Sequence, residues 1–206
     1  VLDRTFNYNP RRAKELLRLF LEFHPDIRFH LEIHPALLSE ELKEELSLLP
    51  KGLLHLEAGI QSLREPVLEK SRRMGKLSDA LDGLRFLCAL PNMETHADLI
   101  AGLPLYHLHE IFEDVRTLAE YAAGEIQLES LKLLPGTEMR RRAEESGIKY
   151  SPLPPYEVLQ THEINVSELQ TARQLSRLLD GFYNTPAWQA LTRELILNDE
   201  QFLHRF

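Results

Sequence analysis

Cysteine is nearly absent: the 206 residues contain one, Cys88. That excludes an internal disulfide and any cluster held by several thiolates of this chain. No apolar run approaches the ~20 residues of a membrane-spanning helix. Positive charge is also short, with 24 Lys and Arg against 32 Asp and Glu and a net charge of −8. A general phosphate-backbone binder is therefore not expected, and no nucleic-acid footprint is evident. Low-complexity tracts, short-period repeats and a nucleotide-type glycine fingerprint are lacking as well. The opening Val1-Leu2-Asp3-Arg4 has neither an initiator Met nor a signal peptide, so a cytoplasmic location and a piece of a longer protein are the expectation. What is present is 43% apolar and 27% charged, a mixture able to bury the core of one domain with at most an appendage.

Up to Lys149, short apolar runs alternate with longer amphipathic stretches. Val1–Thr5 reads as the end of a strand. Asn9 and Pro10 then suit the N-cap and first position of a helix in which Ala13, Leu16, Leu17, Phe20 and Leu21 recur at helical spacing. Further strands are expected at Ile27–Ile33, Leu53–Ile60, Glu94–Ala101 and Glu125–Leu134. Helical pattern follows Ser39 and recurs at Arg64–Arg73, Ser78–Leu90, His107–Ala122 and Thr137–Ser146. Five strand–helix units in strict alternation imply a parallel sheet, because parallel neighbours need a crossover and the helix supplies it. The expected fold class is α/β, a partial parallel (β/α) TIM-like barrel at residues 1–149. Residues 150–206 begin with the linker Ser151–Pro155 and are expected to form a mostly helical C-terminal extension. Trp188, Phe182 and Tyr183 in that extension are expected to pack against the barrel.

In parallel barrels, chemistry gathers at the C-terminal ends of the strands. Polar residues recur there: Asp3 and Arg4, Glu32 and His34, Glu57 with Gln61 and Ser62, Asp98, and Lys132. A carboxylate inside an apolar strand is costly unless paired or hydrogen-bonded. Asp98, between Ala97 and Leu99, therefore wants a partner. A ligand and a neighbouring side chain such as Arg72, Arg73 or Lys132 both satisfy that need, and the pattern leaves both open.

The motifs Leu56-Glu57-Ala58-Gly59-Ile60-Gln61-Ser62-Leu63, Asp98-Leu99-Ile100-Ala101-Gly102-Leu103-Pro104 and Leu131-Lys132-Leu133-Leu134-Pro135-Gly136-Thr137 occur in order. Together they resemble the radical S-adenosylmethionine (SAM) superfamily. The opening Asp3-Arg4-Thr5-Phe6-Asn7 resembles its group that often carries an N-terminal cobalamin-binding domain. Tyr150 to Thr161 resembles the uncharacterised C-terminal domain of one branch. The resemblance implies a radical SAM iron–sulfur oxidoreductase or methyltransferase-like enzyme, in which a [4Fe–4S] cluster reductively cleaves SAM. It further implies SAM contacts at Glu32 near the SAM, at Gln61 and Asp98 on the ribose hydroxyls, and at Arg73 on the SAM carboxylate. Ile100, Gly102 and Leu133 would form the adenine wall. Vicinal hydroxyls want carboxylate or amide acceptors, and a carboxylate wants a guanidinium.

The superfamily's CxxxCxxC loop has no counterpart here, and Cys88 falls on an expected helix, where it reads as a buried small apolar residue. Cluster, first barrel strand and any cobalamin domain are thus expected in a parent protein, and this piece alone is expected to be inactive. Catalytic residues and substrate stay unassigned. An exposed edge at Val1–Thr5 would invite self-association through strand pairing. The alternative is a degenerate, cluster-free barrel that binds a nucleotide-like ligand or a partner. Nine histidines include no zinc triad at standard spacing, and no native metal is expected from the pattern. Arg140-Arg141-Arg142, interleaved with Glu138, Glu144 and Glu145, reads as a solvated, internally paired helix face.

Overall fold

The computed structural model describes residues 5–205. The strand expected at Val1–Thr5 lies outside the described residues except for Thr5, which sits in a turn. Asn9 caps α1 (Pro10–Leu21): its side chain accepts from the Arg12 N–H, and Pro10 occupies the first turn. β1 (Phe29–Ile33) follows, then α2 (Glu40–Leu48), whose N-cap Ser39 accepts from the Leu42 N–H. β2 (Leu54–Gln61), α3 (Glu65–Lys70), α4 (Leu77–Ala89), β3 (Glu94–Ala101), α5 (Leu108–Glu120) and β4 (Glu125–Ser130) complete the alternation. The four strands form one parallel sheet in the order β1–β2–β3–β4. This is the expected partial (β/α) barrel. No helix among the described residues is long and apolar enough to cross a membrane.

The chain divides into two compact units, residues 1–60, 75–98 and 121–125, and residues 61–74, 99–120 and 126–206. In the first, Leu31, Ile33, Leu54, Leu56 and Ala58 bury one face of β1 and β2, while Leu17 and Phe20 of α1 and Leu42 and Leu46 of α2 are buried with them. α4 packs on the turn at Pro35–Leu37. A Cβ at Gly83 would stand 2.1 Å from the Pro35 carbonyl oxygen, so only glycine allows that approach. Asn7, itself buried, donates to the His34 carbonyl and accepts from the His34 N–H, which fastens the chain just after β1.

In the second unit, β4 stops at Ser130 rather than running to Leu134. The reason is a competing partner: Val158 N–H donates to the Leu131 carbonyl, and Leu133 N–H to the Tyr156 carbonyl. Leu131 N–H still donates to the Ala101 carbonyl of β3, while residues 131–133 turn to pair antiparallel with 156–158. The expected helix at Thr137–Ser146 appears as α6 (Glu138–Arg141) and a 3-10 turn, closed by Gly147 at φ 58°. The tail holds a small hairpin, β5 (Lys149–Tyr150) and β6 (Val158–Gln160), before α7 (Val166–Leu178). Asn165 and Glu168 form a capping box at the start of α7. A π turn at Leu179–Tyr183 leads into α8 (Pro186–Asn198), and α5 packs with both α7 and α8.

Tyr183 is buried as expected, but Phe182 and Trp188 are 48% and 50% exposed and meet edge to face. The π turn separates the inward Tyr183 from its outward neighbour. Arg140 lies over the rings of Tyr150 and Tyr156, and Arg142 pairs with Glu138 and Glu145, so two of the three consecutive arginines are occupied internally.

Candidate functional site

Alternate residues of a strand face opposite sides of the sheet. The register pairs His30 with His55 and Glu32 with Glu57, which puts all four on one face, opposite the buried Leu and Ile side chains. The His30 and His55 rings stack with centroids 4.8 Å apart, and His55 meets His96 of β3 edge to face at 5.9 Å. Asp98, two residues further along β3, joins the same face. The first unit therefore presents a polar sheet face of two rows, histidines toward the N-terminal half and carboxylates beyond them.

The carboxylate row holds two of the residues singled out from the sequence, Glu32 and Asp98, with Glu57 between them. His30 Nε2 lies 2.8 Å from Glu57 Oε2. Burial raises the Glu57 pKa, but the hydrogen bonds from His30 and Asp98 outweigh it and hold the carboxyl below its usual range. Asp98 is the reverse case: burial first, then the charge on Glu57, pushes it up to about 6, with His96 opposing. Of the two carboxyls, Asp98 is therefore the one that takes up a proton first as pH falls. His96 Nε2 is 2.9 Å from Asp98 Oδ1, yet neither atom is aligned for a hydrogen bond. Asp98 Oδ1 is thus buried with an ion-pair neighbour but no aligned hydrogen bond, a state that a ligand hydroxyl would improve.

The second unit holds Gln61, Arg73, Ile100, Gly102 and Leu133. Gln61 ends β2 with φ 69°, a left-handed conformation that a side chain rarely adopts, and Gly102 follows β3 with φ 91°. Strain of this kind costs about 1–2 kcal/mol at a non-glycine residue and marks functional positions. Gln61→Gly is expected to leave stability unchanged or to raise it by up to about 1 kcal/mol in urea unfolding. A loss of roughly 1 kcal/mol, the result for an ordinary strand glycine, would show that the Gln61 side chain carries the turn. Arg73 is half-buried after α3 and donates its N–H to the Leu68 carbonyl. The Gly102 α-carbon approaches Leu131 and Val158, and Leu133 is buried. Ile100 is half-buried on the same face of β3 as Asp98. A pocket of about 270 Å³ lies beside the α3 end, lined by Lys70, Ser71, Arg72, Glu138 and Arg142 among others.

Two arrangements in this structure escape sequence reasoning. The first is a buried hub in the second unit. Asp114 of α5, 1% exposed, accepts from Tyr106 Oη at 2.5 Å, the Leu63 N–H at 2.8 Å and Arg64 Nε at 2.9 Å. It anchors the loop that follows Gln61. Burial raises the Asp114 pKa against these donors, and burial together with Asp114 raises Tyr106 well above its usual value. The signal was available, since Asp114 lies among Ile111, Phe112, Val115 and Leu118 much as Asp98 lies among apolar neighbours. The second is the convergence of His55 and His96 with Glu125 of β4. These residues come from three strands, so no local spacing reveals it.

Cys88 lies on α4, half-buried, with its thiol pushed up to about 11 by burial. A protonated lone thiol does not fit a [4Fe–4S] cluster, which needs several thiolates. This chain therefore contains no cluster site of its own.

Residues 144–203 match the family described as "Protein of unknown function (DUF4080)". Comparison with curated protein sequences finds no match. Among solved structures, the chain is similar to the radical S-adenosylmethionine methyltransferase TsrM from Kitasatospora setae, with tryptophan substrate and a SAM analogue bound. The TM-score is 0.59 at 20% identity, over 84% of this chain and 36% of that one. Coproporphyrinogen III oxidase (HemN) from Escherichia coli, described as a radical SAM enzyme, aligns with TM-score 0.58 and 17% identity over 84% of this chain and 37% of its own. The archaeal Elp3 of Methanocaldococcus infernus gives 0.54 and 14%, over 85% and 37%. The chain thus has a radical-SAM-type fold with a single cysteine, and spans about a third of the length of these structures.

Proposed function

We propose that the chain is the SAM-binding portion of a radical SAM oxidoreductase or methyltransferase-like enzyme whose cluster cysteines belong to the parent protein. The observation that carries the reading is the buried Asp98 oxygen, paired with His96 Nε2 but with no aligned hydrogen bond, at the position where the superfamily resemblance puts a ribose contact. Glu32 lies in the same carboxylate row, with Glu57 between it and Asp98. The strained Gln61 supports the reading further, because a left-handed glutamine at a strand end is maintained against its own backbone preference. In this assignment Asp98 and Gln61 accept the ribose hydroxyls, Arg73 pairs with the carboxylate of the methionine moiety, and Ile100, Gly102 and Leu133 flank the adenine. The cluster, supplied by the parent, would provide the electron that cleaves SAM. A cobalamin-binding domain in that parent belongs to the same proposal, as does a cytoplasmic location. The chain by itself forms no 5′-deoxyadenosine under reducing conditions.

The single cysteine favours a second reading, a cluster-free module that binds a nucleotide-like ligand. Calorimetric titration of the chain with SAM and with adenosine tests both. On the SAM reading, Arg73→Gln weakens SAM about tenfold or more and leaves adenosine unchanged, because a charge-assisted pair is worth roughly 1.5–3 kcal/mol. Equal affinity for SAM and adenosine, insensitive to Arg73, would favour the nucleotide-like module. Binding of neither would sink both.

A further inference from the structure

The histidine row of the first unit takes no part in the proposed SAM contacts. One ring nitrogen of His55, one of His96 and one carboxylate oxygen of Glu125 all lie within 4.8 Å of one another. His96 is 4% exposed, its Nε2 facing Asp98 Oδ1 at 2.9 Å, and His55 Nε2 is buried with no hydrogen-bond partner. An imidazole nitrogen left without a partner beside a second imidazole and a carboxylate is costly in a protein interior unless something else occupies it. Gly124 helps set the arrangement: a Cβ there would stand 2.9 Å from the Thr95 carbonyl oxygen, so the chain enters β4 close against the residue before His96.

We propose that His55, His96 and Glu125 bind one divalent transition-metal ion of the zinc class. Two imidazoles and a carboxylate form a donor set suited to Zn²⁺ and its neighbours and poorly suited to Mg²⁺ or Ca²⁺, which favour all-oxygen sites. A tetrahedral ion with bonds of ~2.0–2.1 Å draws its ligands closer than they now stand, a change that side-chain rotation supplies. Water takes the fourth position.

The surroundings already contain an orienting group. Arg28 donates to His55 Nδ1 at 2.8 Å, so that nitrogen is unprotonated and the ring proton resides on Nε2. When Nε2 takes the metal, this proton moves to Nδ1, and no net proton is released from the ring. Glu94 Oε2, now 3.8 Å from Nδ1, would have to move to within about 3 Å to accept it, with Arg28 turning off Nδ1 but keeping its ion pair with Glu94. That rearrangement would give the carboxylate–histidine–metal relay that typically orients ligating imidazoles. His55, His96 and Glu125 lie near the N-terminal ends of their strands, the side of such sheets associated with stability rather than catalysis. The ion is accordingly a structural staple joining β2, β3 and β4.

The test uses the untagged chain, stripped with EDTA and dialysed. It is titrated with Zn²⁺ by calorimetry and with Co²⁺ by visible absorption, where four-coordinate cobalt has a distinctive band. One equivalent is expected, with at least a hundredfold loss of affinity in His55→Gln, His96→Gln and Glu125→Gln. Glu94→Gln is expected to weaken binding ten- to a hundredfold, while His162→Gln, an exposed control in the other unit, leaves it unchanged. Glu125→Gln is nearly isosteric and half-exposed, so far-UV circular dichroism can confirm that it folds. No saturable binding to the unaltered chain, or binding of equal strength in a folded Glu125→Gln protein, would overturn the site. Neither outcome depends on whether SAM binds.

Discussion

Asp98→Asn is expected to stabilise the metal-free chain at pH 7 by about 3 kcal/mol, at roughly 1.4 kcal/mol per pKa unit. Asp98 titrates at about 6 in the folded protein against 3.8 for the unperturbed group. Between those values the folded chain holds a proton that the unfolded chain has released. Stability from this group is therefore present below the unfolded pKa and is lost as pH rises toward 6. His96, whose pKa is also raised, adds in the same direction: burial lowers it, but Asp98, Glu125 and Glu57 outweigh burial. An asparagine carries no charge to bury. Urea unfolding of both proteins in EDTA at pH 4, 5, 6 and 7 should show curves that coincide at pH 4 and diverge above it. A constant difference across that range would mean that Asp98 is ionised throughout. On the proposed assignment the same substitution weakens SAM about tenfold, because the ribose would lose its charged acceptor. Greater stability with weaker binding is the signature of a residue retained for its ligand rather than for the fold.

Asp114→Ala has the opposite sign. It leaves the Arg64 guanidinium, the Tyr106 hydroxyl and the Leu63 N–H without their shared acceptor. Removing one member of a buried ionic network costs about 3–5 kcal/mol, which for a chain of this size lowers the melting temperature by on the order of 10 °C. Adding Arg64→Leu and Tyr106→Phe should recover part of the loss, since removing both sides of an interaction leaves no orphan. A drop under about 2 °C would show that water replaces the carboxylate. Because the hub anchors the loop after Gln61, a destabilised but folded Asp114→Asn protein should also bind SAM less tightly on the proposed assignment.

Where structure depends on local pattern, the sequence was legible. Glu94–Ala101 forms a strand over the expected residues because apolar residues and a single carboxylate fill the run, and Asn9 and Ser39 cap helices as their chemistry suggests. Where a segment has a choice of distant partners, it was not. Nothing between Glu125 and Leu134 signals that residues 131–133 will pair with 156–158, so the strand ends sooner than its composition implies. The hairpin of β5 and β6 follows from the same pairing and lies hidden in a proline-rich stretch. Among candidate site residues, carboxylates set in apolar runs stand out in the sequence, as Asp98 does. A row across a sheet does not, because His55, His96 and Glu125 become neighbours only through strand order and register, and the histidines show no metal spacing along the chain.

Trp188 is the chain's one tryptophan, half-exposed on α8 beside Phe182. Intrinsic tryptophan emission is therefore a reporter stationed entirely in the second unit. It should be partly red-shifted already in the native protein and open to collisional quenchers. A zinc-dependent change confined to the first unit would leave that emission dark to the event, while far-UV dichroism, which sums over every helix and strand, would register it. Disagreement between the two signals during unfolding would reveal that the two units come apart at different denaturant concentrations.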